Sequence, residues 1–197
     1  MKEDIRAEIL RKLIHLSVVV VPLGYLFINK ELLLLILSLL LVVAVSIEAA
    51  RSVSEKFSDL FIKIVGRMLR KHENKRLTGA TYLIFGSFLT ILIFNKWIAI
   101  TALFFVIISD ALAAVVGTMF GRHTIYGNRT VEGSAVFVAA SLIIILMINK
   151  VPFFVGLSGM VIALVLEVFV KRVNDNLMIP LSSGLVMQSL MMITKQL

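Results

Sequence analysis

The sequence predicts an all-α integral membrane protein: a polytopic helical bundle of about seven transmembrane helices plus one interfacial amphipathic helix, in a single transmembrane domain over residues 1–197. Three observations predict it. Of the 197 residues, 59% are apolar and 16% charged, where a soluble domain is nearer half and a quarter; the mean hydropathy is +1.01. Seven apolar runs reach or approach the roughly 20 residues that cross a bilayer. The basic residues also fall into alternate loops, as the inside-positive bias requires.

The first run, 10–28, begins with Arg11 and Lys12 and resembles a secretory leader in composition. It passes straight into a second run, 31–47, with no small-residue cleavage site, so it is read as a retained span. Pro22 is expected to kink it. Further runs follow at 78–94, 97–119, 133–148, 151–170 and 178–194. Three pairs of runs are joined by nearly the same tight turn, Asn29-Lys30, Asn95-Lys96 and Asn149-Lys150, and such short connections make antiparallel helical hairpins. The connection 48–77 is longer. Phe57, Leu60, Phe61, Ile64, Val65, Met68 and Leu69 recur there at helical spacing, with Lys56, Asp59, Lys63, Arg67 and Arg70 on the other face. This predicts an amphipathic helix over 54–71 lying on the headgroups; a helix packed on the core is the alternative.

With the N-terminus inside, the inner side carries Lys2, Arg6, Arg11, Lys12, the eight basic residues of 48–77, Arg122, Arg129, Lys171 and Arg172. Only Lys30, Lys96, Lys150 and Lys195 are left outside. An even number of spans would break this alternation, so seven spans are expected, N-terminus in and C-terminus out. The net charge of +8 is then assigned to anionic lipid headgroups and an anionic substrate, not to nucleic acid. The absence of cysteine excludes a disulfide framework, a thiolate metal site and a cysteine nucleophile.

Ionisable groups within apolar runs cost several kcal/mol, and each asks for a reason. Asp110 lies inside the fourth run, Glu167 near the end of the sixth, Glu48 at the end of the second with Arg51 one turn on, and His15 one turn into the first. Glu132 stands just ahead of the fifth run and Asp175 just ahead of the seventh. All fall on the inner half of the expected topology. Glu48 and Arg51 also fit an ordinary i,i+3 pair, and His15 a hydrogen-bonded packing residue. Asp110 is less easily explained by packing, because a lone carboxylate facing lipid is heavily penalised.

On a helix, Gly117 and Gly121 lie about 20° to either side of the direction of Asp110. With Ala113 they form a bare stripe leading from the carboxylate to the inner loop. Close helix packing and the approach of a bulky polyanion both use such a stripe. The loop Gly121–Ser134 then supplies Arg122, His123, Arg129 and Thr130 and enters a helix at Glu132-Gly133-Ser134. Guanidinium forks beside helix-start amides make an anion site. A carboxylate beside phosphates commonly serves a divalent cation, here Mg²⁺. No Walker A, G-x-G-x-x-G or H-E-x-x-H motif occurs, so a P-loop kinase, a dinucleotide enzyme and a zincin are unsupported.

At these residues the chain resembles the CTP-dependent lipid-alcohol kinases: dolichol kinase, phytol (polyprenol) kinase and CTP-dependent diacylglycerol kinase. The resemblance covers most of the sequence. Arg11, Lys12 and His15 match an N-terminal Arg-Lys-x-x-His; Glu48 and Arg51 match a Glu-x-x-Arg; Thr78–Tyr82 resembles the segment opening the third span. Asp-Ala-x-Ala, two spaced glycines and Lys-Ser/Thr-x-Glu-Gly-Ser match Asp110 through Ser134. Glu167 and Asp175-Asn176-Leu177 with Pro180 resemble the last elements. One position departs: Arg129 stands where Lys is usual, which keeps the charge and loses the point-charge geometry.

The resemblance implies a single catalytic domain in the cell membrane or an ER-type membrane, working at the cytoplasmic face. It implies transfer of the CTP γ-phosphate to the hydroxyl of a membrane lipid alcohol, either an isoprenoid alcohol or diacylglycerol. Asp110 and Glu132 are then the expected catalytic pair, and Asp110, Glu132, Glu167 and Asp175 the expected Mg²⁺ ligands. CTP is expected on Arg11, Lys12, Gly117, Gly121, Arg122, His123, Arg129, Thr130, Gly133, Ser134, Lys171, Arg172 and Asn176, with His15, Glu48 and Arg51 as further polar site residues. The preference for CTP rests on the resemblance alone. The related CDP-diacylglycerol synthases share a Ser-Asp…Glu-Gly core, which makes a phosphatidate cytidylyltransferase the alternative, although this chain is short for that family. A cation-coupled transporter using Asp110 is a more distant one, since no inverted halves are visible. Expected partners are CTP, the lipid alcohol and membrane lipids; homodimerisation is left open.

Overall fold

The computed structural model describes residues 2–66, 77–169 and 174–194, with side chains from Ile9 onward. Among the described residues, ten helices run in the order α1 (Lys2–Ser17), α2 (Val20–Phe27), α3 (Lys30–Val53), α4 (Glu55–Val65), α5 (Gly79–Ile93), α6 (Lys96–Phe104), α7 (Asp110–Phe120), α8 (Val131–Met147), α9 (Phe153–Phe169) and α10 (Asp175–Thr194). A π turn, Phe105–Ser109, joins α6 to α7 without a break in direction of chain, and a small hairpin of β1 (Thr124–Tyr126) and β2 (Arg129–Thr130) lies between α7 and α8.

Local chemistry explains most boundaries. Pro22 lacks an amide hydrogen and its ring crowds the carbonyl four residues back. The helix therefore opens at Val18–Val19, where the Val18 and Val19 amides turn back tightly onto the His15 and Leu16 carbonyls. Side chains of Asn29, Ser54 and Thr78 accept hydrogen bonds from the first turns of α3, α4 and α5 and so satisfy amides that a helix start leaves open. Lys30 and Lys96 open α3 and α6 directly after the tight turns read from the sequence. The hairpin departs from the all-helical expectation. Gly127 has φ 61°, the left-handed backbone that lets a two-residue turn close two strands.

Four stretches are long and apolar enough to cross a membrane: Ile9–Phe27, Lys30–Val53, Lys96–Phe120 and Asp175–Thr194. Helices α5, α8 and α9 are apolar but shorter, at 15, 17 and 17 residues. The α6–π–α7 stretch is central: Ile98–Leu103, Phe105–Ile107, Ser109, Asp110 and Ala111 are all buried. Helices α2, α5 and α10 pack on α6, and α1 and α8 on α7. By contrast α3 is peripheral and leaves Leu35, Leu39, Val42 and Val43 exposed, an apolar belt that a water-facing surface would not carry. Buried Ser141 donates to Ser109 at 2.8 Å, tying α8 to the π turn as polar groups do between apolar helices.

Helix α4, Glu55–Val65, covers the described part of the helix expected over 54–71. Phe57, Phe61 and Val65 are half-buried while Leu60, Ile62 and Ile64 are exposed. It thus both leans on the bundle and shows an apolar edge outward. The remainder, 67–71, lies outside the described residues.

Candidate active site

The π turn delivers Asp110 into the bundle as the first residue of α7. π turns interrupt the regular carbonyl–amide ladder and gather at functional positions. One carbonyl of this turn, Val106, accepts a hydrogen bond from His15 Nε2 at 3.0 Å. One helical turn earlier, on the same face of α1, Lys12 Nζ meets Asp110 Oδ2 at 2.5 Å. Lys12 and His15 therefore grip the π turn and the carboxylate it positions. His15 is hydrogen-bonded to the backbone of the turn and also lines the cavity described below, and Lys12 is the ion-pair partner of Asp110.

Arg129 closes the cluster from the other side. Its Nη1 lies 2.8 Å from Glu167 Oε1 and 3.7 Å from Asp110 Oδ1, and its Nη2 donates to Asp175 Oδ2 at 2.8 Å. Three carboxylates from α7, α9 and α10 thus converge on one guanidinium. Asp110 and Glu167 side chains are 2% and 3% exposed, Arg129 22%. Burying charges is costly even when they are paired, so the cluster is not explained by stability. Two carboxylate oxygens, Asp110 Oδ1 and Glu167 Oε2, have no hydrogen-bond donor among the described residues. The cluster thus keeps two buried acceptor oxygens without a donor beside Lys12 and Arg129. Among the described residues, however, no three His, Asp or Glu side chains by themselves stand close enough to hold a metal ion.

Glu132 does not join this set, which corrects its place among the expected ligands. Its Oε1 pairs with His123 Nδ1 at 2.7 Å and its Oε2 accepts the His123 backbone N–H at 3.3 Å, while the Val131 amide donates to the His123 carbonyl. The side chain thereby ties the hairpin to the start of α8. Its own backbone amide and then the His123 ring hold the half-buried carboxyl down at about 2.

The glycine stripe is a packing seam. A side-chain carbon on Gly117 would lie 3.0 Å from Thr130 Oγ1, one on Gly121 2.6 Å from Thr130 Cγ2, and one on Gly133 2.8 Å from the Ala113 carbonyl. The start of α8 packs on the stripe, and Gly117 and Gly133 let α7 and α8 approach closely there, while Gly121 stays exposed. Thr130 Oγ1 accepts from the Gly133 amide at 3.2 Å and caps α8. The Ser134 hydroxyl is buried and without a partner among the described residues.

Two other expected site residues join helices. Glu48 Oε1 accepts from the Thr78 amide at 2.8 Å and the Thr81 hydroxyl at 3.1 Å. Its Oε2 meets Arg51 at 2.7 Å, and the Arg51 guanidinium lies 5.0 Å from the Phe61 ring centroid. This goes beyond an i,i+3 pair: one carboxylate caps α5, favourable at a helix N-terminus, and holds α3, α4 and α5 together. Asn176 donates to the Gly79 carbonyl at 2.7 Å and docks α10 on α5. Arg122 and His123 are exposed on the approach to the hairpin. Lys171 and Arg172 lie outside the described residues.

A cavity of about 200 Å³ opens beside the cluster, lined by Arg11, Lys12, His15, Asp110, Asp175 and Asn176 together with apolar side chains of α1, α4 and α5. Sequence reading had no access to this cavity, nor to Asn174 on its wall, because its walls come from distant segments.

No family model matches the chain, and no solved structure matches it. The chain is similar to a protein of Rickettsia prowazekii (strain Madrid E), Uncharacterized protein RP860, with 29% identity over 190 residues, covering 91% of this chain and 93% of that protein. The similarity therefore spans the whole bundle and not one motif.

Proposed function

We propose that the chain is a CTP-dependent kinase of membrane lipid alcohols, with seven membrane-crossing helices and its site at the cytoplasmic face. The observation that carries this reading is the Arg129-centred cluster: buried carboxylates with oxygens that have no donor, two cations, and an adjoining cavity lined by both polar and apolar side chains. Phosphoryl transfer needs chiefly alignment and charge neutralisation. Arg129 and Lys12 are the cluster's cations for the phosphates of CTP, and Arg11 lines the cavity with Lys12. When phosphate oxygens take the Arg129 fork, Glu167 and Asp175 are released from it. Asp110, Glu167 and Asp175 would hold Mg²⁺ only if drawn closer together than they stand, since no three of the described His, Asp or Glu side chains gather closely enough for a metal ion; when bound, the ion would supply charge neutralisation on the triphosphate.

The step balances simply. The lipid hydroxyl oxygen forms a bond to the γ-phosphorus while the bond from that phosphorus to the β–γ bridging oxygen breaks. The bridging oxygen leaves with the electron pair as part of CDP. The hydroxyl proton passes to a carboxylate, and Asp110 is the buried one among the residues lining the cavity. Glu132 takes no part, being held by His123.

The test is transfer of label to lipid extracts from CTP labelled at the α or the γ phosphorus, using purified protein in vesicles. Label arriving from γ is the expected result. Label from α would make the protein a cytidylyltransferase, and no transfer from either position to any lipid alcohol would sink the enzyme reading.

A further inference from the structure

The hairpin between α7 and α8 has one strand tied to the ion cluster and one left at the surface. From β2, Arg129 reaches Glu167 and Asp175, and Thr130 caps α8. On β1, Ile125 and Tyr126 stay 43% and 47% exposed. Tyr126 pairs with Arg129 across the strands, and its ring lies 6.1 Å from that of Phe169, the last residue of α9. The hairpin therefore folds sideways along the ends of the bundle helices. Those ends are themselves apolar and exposed: Phe120 closes α7, Val131 opens α8 and Phe169 closes α9. With Ile125 and Tyr126 they form a patch that water disfavours. Arg122, also exposed, stands between Phe120 and Ile125 in the chain, whereas the His123 ring is taken up by Glu132.

We propose that this hairpin seats in the bilayer surface: Ile125 and Tyr126 enter the boundary between acyl chains and headgroups, and Arg122 takes the phosphate of an anionic phospholipid there. Three observations carry this. First, the patch continues a lipid-facing surface, since Phe120 ends Lys96–Phe120, a stretch long and apolar enough to cross a membrane. Residues just beyond such an end stand at headgroup depth. Second, the side chains suit that layer. A tyrosine there keeps its ring among carbons and its hydroxyl in water, and an arginine beside apolar side chains lays its stem on them and lifts its charge to the headgroups. Third, the charge is complementary: with Glu132 held by His123, Arg122 presents an exposed positive charge to an anionic surface. A two-stranded hairpin has no core of its own, and a bilayer seat covers the apolar side that the helices leave open. This assigns Arg122 to the membrane surface instead of to CTP, and it stands whether or not the chain is a kinase.

The chain has no cysteine, so a single introduced cysteine carries a fluorophore without background. Ile125→Cys and, on the exposed belt of α3, Leu39→Cys are each labelled with nitrobenzoxadiazole and placed in phosphatidylcholine vesicles containing some phosphatidylglycerol. Nitroxides near the head of the acyl chain should quench the label at position 125 about twofold or more beyond nitroxides near its end, as for a side chain at the interface. At position 39 the order should reverse. Nitroxide-labelled phosphatidylglycerol should quench position 125 about severalfold more than equally labelled phosphatidylcholine, and Arg122→Gln or high salt should remove that excess. A label at position 125 quenched by aqueous iodide and by neither nitroxide overturns the membrane seat, as does one quenched most from the chain end. A label shielded from both iodide and lipid overturns it too, since protein then covers the patch. Equal quenching by the two lipids, or an excess untouched by Arg122→Gln and by salt, overturns the anionic phospholipid contact.

Discussion

Arg129 bridges Glu167 and Asp175 with separate nitrogens and faces Asp110 with one of them. A lysine has one nitrogen and cannot span the same pair in a fixed fork, which gives the departure at this position a structural consequence. Replacing Arg129 by Ala leaves Glu167 buried and unpaired, and breaking such a pair costs about 3 kcal/mol or more. The double variant Arg129→Ala/Glu167→Gln should regain most of that loss; urea unfolding of both in detergent measures it, and no recovery would mean that the pair is not coupled. Asp110→Asn keeps the shape and removes the charge, and turnover should fall at least about 10²-fold in protein that still elutes as a folded species. Near-normal turnover would take Asp110 out of the chemistry. Each of these charges was legible in the sequence because each sits at or near an apolar run. Their convergence was not: Lys12 and Asp110 are 98 residues apart, Arg129 and Asp175 46, and Glu132 looks no different locally from the carboxylates that do converge.

Between elements, the glycines decide how closely α7 and α8 approach. Spacing alone read the stripe two ways, since packing against a helix and making way for a ligand call for the same small residues; only the position of Thr130 and Gly133 separates them. Gly133→Ala should therefore lower stability by about 1–3 kcal/mol, as overpacking does, with the KM for CTP changed little in the protein that remains folded. Gly24→Ala, which meets nothing within 4 Å, should be neutral or slightly stabilising in its helix. The opposite ordering of the two midpoints would reject the seam. Helix starts and the Pro22 break were legible because caps and proline act within one turn. The π turn was not, because it is held by His15 from another helix, and the hairpin was not, because one glycine in a polar loop is a weak signal.

At the scale of the molecule, apolar runs and alternating charge gave the helical bundle and its order. The count of crossings depends on length, and α5, α8 and α9 fall short of the other four. If all seven helices cross, a tag after Leu197 lies opposite the N-terminus; protease protection in sealed vesicles reads this, and a C-terminus on the same side as the N-terminus would reject the topology. The short helices also bear on the solvent around them. Helix α5, with 15 residues, rises about 22 Å, whereas the hydrocarbon of a bilayer is about 30 Å thick; its neighbour α3, with 24 residues, rises about 36 Å. If α5 crosses as well, acyl chains meeting it would be compressed or splayed while those meeting α3 would be stretched, a hydrophobic mismatch on adjacent faces of one protein. Helix α5 also lines the cavity. Turnover in vesicles should then rise as phosphatidylcholine chains are shortened from the longest that still form fluid bilayers, and a flat dependence on chain length would show that the bilayer does not thin there.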